Sequence, residues 1–164
     1  MSHGARTSSL IGTLIAVVTI AIVAALVAPE FSEAGVAEDR MDELCGHLQM
    51  LRSQIELYKV QHRDEPPMRA ASGTITFDPQ MQQLVNCTDP DGNLKLKQPT
   101  TMRSAVYAYG PYLRRVPENP FNNSSTIVRV RSRSEIPVPG GAGWAYVPET
   151  GEIYANDSAF HARL

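Results

Sequence analysis

The chain has 164 residues, of which 43% are hydrophobic and 20% charged. That suits one modest domain with an appendage and excludes a disordered tail or a polytopic membrane protein. A formal net charge of −2 gives no bulk positive field for nucleic acid, and two cysteines cannot build a zinc ribbon or a multi-bridge secreted scaffold.

Residues 10–28 carry no charge. A helix of that length, at about 1.5 Å per residue, reaches roughly 28 Å, close to a hydrocarbon core of ~30 Å. A secretory signal has a shorter apolar core and wants small residues before its cut. Leu26 stands where cleavage after Ala28 needs a small residue; cleavage after Ala25, with Val23 two residues earlier, is the alternative. The expectation is an uncleaved transmembrane helix over 10–28, behind a cytoplasmic tail of residues 1–9. Arg6 is the sole basic residue besides His3 before the span, and Glu30, Glu33, Glu38 and Asp39 follow it. The positive-inside rule counts Lys and Arg, so everything after Pro29 is expected outside the cytoplasm. Gly12, Ala16, Ala21, Ala24 and Ala25 are small enough to let such spans approach closely. Pro29 lacks the N–H for the carbonyl of Ala25 and is predicted to kink the helix.

Residues 29–62 read as an amphipathic stalk. Met41, Leu44, Leu48, Leu51, Ile55 and Tyr58 recur at steps of three and four, which places them on one helical face. Asp39, Arg40, Glu43, Arg52, Glu56, Lys59 and Arg63 fill the rest, and His47 and His62 are expected on the polar side. The helix should end near Gln61 or His62, because Pro66-Pro67 cannot continue it. A face covered by the chain's own domain explains the stripe; two and a half heptads are a thin basis for a coiled coil.

Residues 63–164 form the head. All prolines except Pro29 fall between Pro66 and Pro148. Asp78-Pro79 reads as a helix start, with Asp78 as the cap of a short helix over Gln80–Val85. Asp89 and Asp91 before Gly92 suggest a calcium loop, but position 98 is Gln where an EF-hand needs its acid, so an ordinary turn is expected. Thr126–Arg133 alternates as a strand, with Val128 and Val130 on one face and Arg129, Arg131 and Arg133 on the other. That arginine row could contact phosphate, headgroups or an acidic partner, or simply blunt an edge strand. Trp144–Val147 and Glu152–Ala155 flank the turn Pro148-Glu149-Thr150-Gly151. The fold class is therefore α+β: a long N-terminal helix, membrane span plus stalk, packed on a small antiparallel sheet. Cys45 and Cys87 are the only pair available to each other in an oxidising compartment, so a disulfide between them is expected. The alternative is two separate small hydrophobes. HExxH, GxSxG and P-loop spacings are absent, and the four histidines form no catalytic set.

Several stretches in order resemble the type IV pilin superfamily, most closely the G-type major pseudopilins of type II secretion. These are Leu10–Pro29 followed by Phe31, the amphipathic Leu51–Lys59, Gly110-Pro111-Tyr112-Leu113 with Asn119-Pro120-Phe121, and Gly143–Tyr146 with Thr150–Asn156. The family's leader glycine falls on Thr7 and its intramembrane glutamate on Gly12; its calcium loop has no residue-by-residue counterpart. The resemblance implies a pilin-like fold and a non-enzymatic, filament-building component of a type II secretion or type IV pilus-like apparatus. It implies a bacterial inner membrane location with a periplasmic head, and other pilin-like subunits or secretion proteins as partners. Calcium would be implied by the resemblance alone; no cofactor, no metal ligands and no nucleic-acid partner are expected from the residues. The other reading is a membrane-tethered binding or adhesion module that does not polymerise.

Overall fold

The computed structural model describes residues 35–70, 72–94 and 106–164. The expected span at 10–28, with Gly12, Ala16, Ala21, Ala24 and Ala25, and the expected kink at Pro29 lie outside them. Among the described residues no helix is long and apolar enough to cross a membrane. The chain divides into two compact units, Met1–Met41 and Asp42–Leu164. Of the first, residues 35–41 are described; they are helical, and 35–40 are exposed.

Helix α1 covers residues 35–61. Within the second unit Leu44, Leu48, Leu51, Ile55 and Tyr58 are each no more than 1% exposed, so the three-and-four spacing is a buried face. Each such side chain contributes roughly 1.5–3 kcal/mol relative to an exposed one. The helix closes as the N–H groups of His62 and Asp64 both reach the carbonyl of Lys59. Arg63 and Asp64 then take positive φ (59° and 67°), turning the chain into Pro66-Pro67.

Helix α2 is Gln82–Val85, two residues shorter at its start than the sequence suggests. Asp78 does collect helix-start donors, accepting the N–H of Gln80 at 3.0 Å and of Gln82 at 2.6 Å. Between them Met81 sits left-handed at φ 49°, its side chain wholly buried, and that conformation breaks the first turn.

Strands β1 (Ile127–Arg129), β2 (Trp144–Val147) and β3 (Glu152–Ala155) form one sheet in the order β1-β2-β3. The sheet is mixed, which corrects the antiparallel expectation: β2 and β3 are an antiparallel hairpin, but β1 runs parallel to β2, with Ile127 beside Trp144. Parallel neighbours need a crossover of about a dozen residues, and 130–143 supplies one. β1 is also shorter than the expected 126–133. Val130 still donates to Tyr146. Beyond it the N–H of Arg131 turns to the Glu135 carboxylate, and Arg133–Glu135 winds into a 3-10 turn.

Side chains alternate across the sheet. Val128, Ala145, Val147 and Tyr154 pack with Val130, Ile136 and Ala162 on one side. Ile127, Trp144, Tyr146 and Ile153, all buried, share the other face, the side of α1. Tyr146 donates to the carbonyl of Pro67 at 3.1 Å, and Arg52 of α1 donates to Ile153 at 3.1 Å. Trp144 donates its indole N–H to Pro117 at 2.9 Å, holding the proline-rich segment 110–120 against the sheet.

Candidate functional site

The three arginines do not form a row. Arg129 pairs with Glu149 at 2.6 Å across the β2–β3 turn. Burial pushes the Glu149 carboxyl up, but the hydrogen bond from Arg129 and the charges of Arg129 and Arg131 outweigh it and hold the group below its usual range. Arg133 donates Nε to the carbonyl of Ala162 at 2.9 Å and lies 5.4 Å from the centre of the Tyr154 ring. Only Arg131 keeps an exposed guanidinium with no hydrogen bond among the described residues. Alternation predicted one charged face; the chain leaves the strand after Arg129 and sends each guanidinium elsewhere.

The expected disulfide is not formed. Cys45 is exposed on α1, one residue past Leu44 and off the buried stripe, whereas Cys87 is 0% exposed. Bonded sulfurs lie about 2 Å apart and share one environment, which these two do not.

The histidines correct a second expectation. His62 is not on a polar face: it is 3% exposed, stacked on Tyr58 at 3.8 Å and edge-on to Tyr109 at 5.2 Å. Its Nδ1 lies 2.8 Å from the carbonyl of Tyr58 and its Nε2 lies 2.9 Å from the Thr88 hydroxyl. A carbonyl only accepts, so Nδ1 carries the hydrogen and the Thr88 hydroxyl donates to Nε2. Burial pushes the imidazole below its ordinary pKa, against hydrogen bonds to Tyr58 and Asp89 and the Asp89 charge, which favour the cation. The same burial, with Tyr112 and Asp89 nearby, raises the Tyr58 phenol. The cluster ties the end of α1 to the Thr88–Tyr109 bridge. His47 is half-buried and meets the carbonyl of Glu118 at 3.0 Å. The sequence signal available for His62 was its place four residues after Tyr58, one turn further along the buried stripe.

The Nδ1 of His161 meets the Oδ2 of Asp157 in a hydrogen bond, both side chains at most 10% exposed. Asn119 braces the carboxylate at 2.8 Å. An oriented histidine of this kind could serve a nucleophile. The adjacent Ser158 hydroxyl, however, accepts the N–H of His161 itself at 3.1 Å, so the arrangement closes the chain's last turn.

The Asp89 turn is satisfied from within. Its Oδ1 accepts the N–H of Asp91 at 2.9 Å and of Asn93 at 2.8 Å, and Asp91 pairs with Arg63 at 2.7 Å. Among the described residues no group of three His, Cys, Asp or Glu side chains converges as a metal set. A cavity of about 620 Å³ opens beside α2, walled by Met68, Thr76, Met81, Gln83 and Tyr107. Its polar wall is already engaged: the Gln83 amide accepts the N–H of Met68 and donates to Gly92 at 2.6 Å.

No protein-family model, no curated protein and no solved structure matches the chain. What the residues bring together is a helix pinned under a small mixed sheet by the buried polar contacts of His62, Trp144 and Tyr146.

Proposed function

We propose that the protein is a single-pass, pilin-like subunit that works by assembly in a secretion or pilus-type apparatus of a bacterial inner membrane. The observation that carries this reading is the wholly buried stripe Leu44–Tyr58 on a helix that follows the uncharged run 10–28 within a few residues. A stalk helix buried under its own head and lying soon after an apolar run suits a subunit that assembles, where a tethered enzyme needs only a flexible linker. The order of pilin-like sequence stretches supports the same reading, as does a head in which His62, Thr88, Asn119 and Asp157 are held in buried contacts with other parts of the chain. In it the small residues Gly12, Ala16, Ala21, Ala24 and Ala25 pack span against span, and the head stands outside the cytoplasm.

The test places a photo-crosslinking residue at Ala16 or Ala21 in the full chain and irradiates intact cells. A ladder of dimers and higher adducts is expected, together with digestion of the head when protease reaches spheroplasts. Monomer alone across both positions rules out assembly and leaves the tethered binding module. A protected head reverses the orientation.

A further inference from the structure

Four of the six asparagines stand two residues before a Ser or Thr: Asn86-Cys87-Thr88, Asn122-Asn123-Ser124, Asn123-Ser124-Ser125 and Asn156-Asp157-Ser158. Each matches the N-x-Ser/Thr pattern at which an asparagine amide takes a glycan in exported proteins. The pattern alone is weak; the transfer also needs a reachable amide nitrogen and a reachable hydroxyl at the third position.

The structure separates the four. Asn86 is 4% exposed and its Nδ2 donates to both the backbone and the side chain of Gln82, while the Thr88 hydroxyl is buried against His62. Asn156 is 1% exposed, and a Cβ on Gly140 would lie 2.1 Å from its Nδ2, so the amide is walled in. Asn122 donates to Ala142 at 2.9 Å and accepts the N–H of Ser124, whose hydroxyl meets Thr126 at 2.9 Å. Asn123 differs from them all. It is exposed at a turn, φ 52°, held by its own N–H to the carbonyl of Asn119 at 2.8 Å. Neither its amide nor the Ser125 hydroxyl has a hydrogen bond among the described residues.

We infer that Asn123 is an N-glycosylation site, modified by an oligosaccharyltransferase acting on the exported head. The donor class is a lipid-pyrophosphate-linked oligosaccharide. The Nδ2 of Asn123 forms a bond to the anomeric carbon as the bond from that carbon to the pyrophosphate oxygen breaks. The lipid pyrophosphate leaves with the electron pair, and one amide proton passes to the medium. Fixing the turn through the backbone leaves the side chain to enter the transferase without unfolding the domain. The inference rests on the extracytoplasmic head proposed above.

The test uses the full chain purified from membranes of its native host. Trypsin releases the peptide Val116–Arg129, which holds Asn119, Asn122 and Asn123, and electron-transfer fragmentation locates added mass. Saccharide is expected on Asn123, lost in Ser125→Ala, kept in Ser125→Thr and kept in Ser124→Ala, which removes only the Asn122 pattern. Protease digestion of spheroplasts is read on the same cells. An exported head with this peptide wholly unmodified, or with sugar on Asn86, Asn122 or Asn156 instead, overturns the inference and leaves the proposed function standing. A head retained in the cytoplasm overturns both.

Discussion

Replacing His62 by Phe keeps a ring against Tyr58 and removes both imidazole hydrogen bonds. The Thr88 hydroxyl is 0% exposed, so losing its acceptor leaves a buried donor unmet, at a cost of about 1–3 kcal/mol. The Tyr58 carbonyl also loses a partner that lies 2.8 Å away. The expected destabilisation is therefore roughly 2 kcal/mol. Proton linkage gives a second, independent signature. The folded pKa is depressed by burial, so the unfolded chain takes up a proton near its ordinary value of about 6.5 while the folded chain stays neutral. The wild-type stability contribution is fully present above that value and is lost as pH falls through the folded pKa. His62→Phe has no such proton to bind and should lack that increment of acid sensitivity. Urea unfolding of the full chain in detergent, followed by the single buried Trp144, measures both. Equal pH slopes for the two proteins between pH 7 and 5 refute the buried neutral imidazole, whatever the cost of the substitution at neutral pH.

Gly143→Ala would set a Cβ 1.8 Å from the carbonyl oxygen of Ser124, so backbone must move and a loss of about 1–3 kcal/mol or more is expected. Gly46→Ala meets nothing within 4 Å on α1 and should stabilise by about 0.5–1 kcal/mol through helix propensity; thermal melts of the pair check both signs. Maleimide should label Cys45 in the native protein and Cys87 only after unfolding without reductant, since one is exposed and the other buried. No labelled cysteine in the unfolded, unreduced chain, with two appearing on reduction, would show that the bridge forms after all.

What the sequence made legible was local. The stripe from Leu44 to Tyr58 was readable because helical period and burial coincide there, and the β2–β3 hairpin because Pro148–Gly151 is turn chemistry between two apolar runs. The parallel pairing of β1 was not readable: nothing local to Ile127–Arg129 says which neighbour it joins or in which direction, and the crossover that decides it is irregular. The same limit applied to side chains. Arg129, Arg131 and Arg133 alternate in sequence, yet Glu149 and Ala162 take the guanidinium groups of Arg129 and Arg133, while Glu135 takes only the backbone N–H of Arg131. His62 was placed on a polar face by its chemistry, although stacking on Tyr58 and the Thr88 hydroxyl make burial tolerable.

Asn119 and Asn156 carry that argument to a measurable contrast, because as sequence they are alike and as structure they are opposites. Asn119 is 0% exposed with its amide fully used. It donates to Gly143 at 3.0 Å and to Asp157 at 2.8 Å, and accepts the N–H of Phe121 at 2.9 Å. Asn156 is 1% exposed, and among the described residues neither its Nδ2 nor its Oδ1 has a hydrogen-bond partner. Truncating Asn119 to Ala strands a buried carbonyl, an amide N–H and a carboxylate oxygen, for an expected loss of roughly 2–4 kcal/mol. Truncating Asn156 to Ala removes an amide whose own desolvation was uncompensated, a gain of about 1–3 kcal/mol against a small cavity term of similar size. The net for Asn156→Ala is therefore within about 1 kcal/mol of zero, provided its backbone bonds to Gly140 and Gly143 persist. Chemical denaturation of both variants decides the matter. A loss at Asn156 as large as that at Asn119 would mean the amide is bonded in solution, and the contrast drawn from burial would fail.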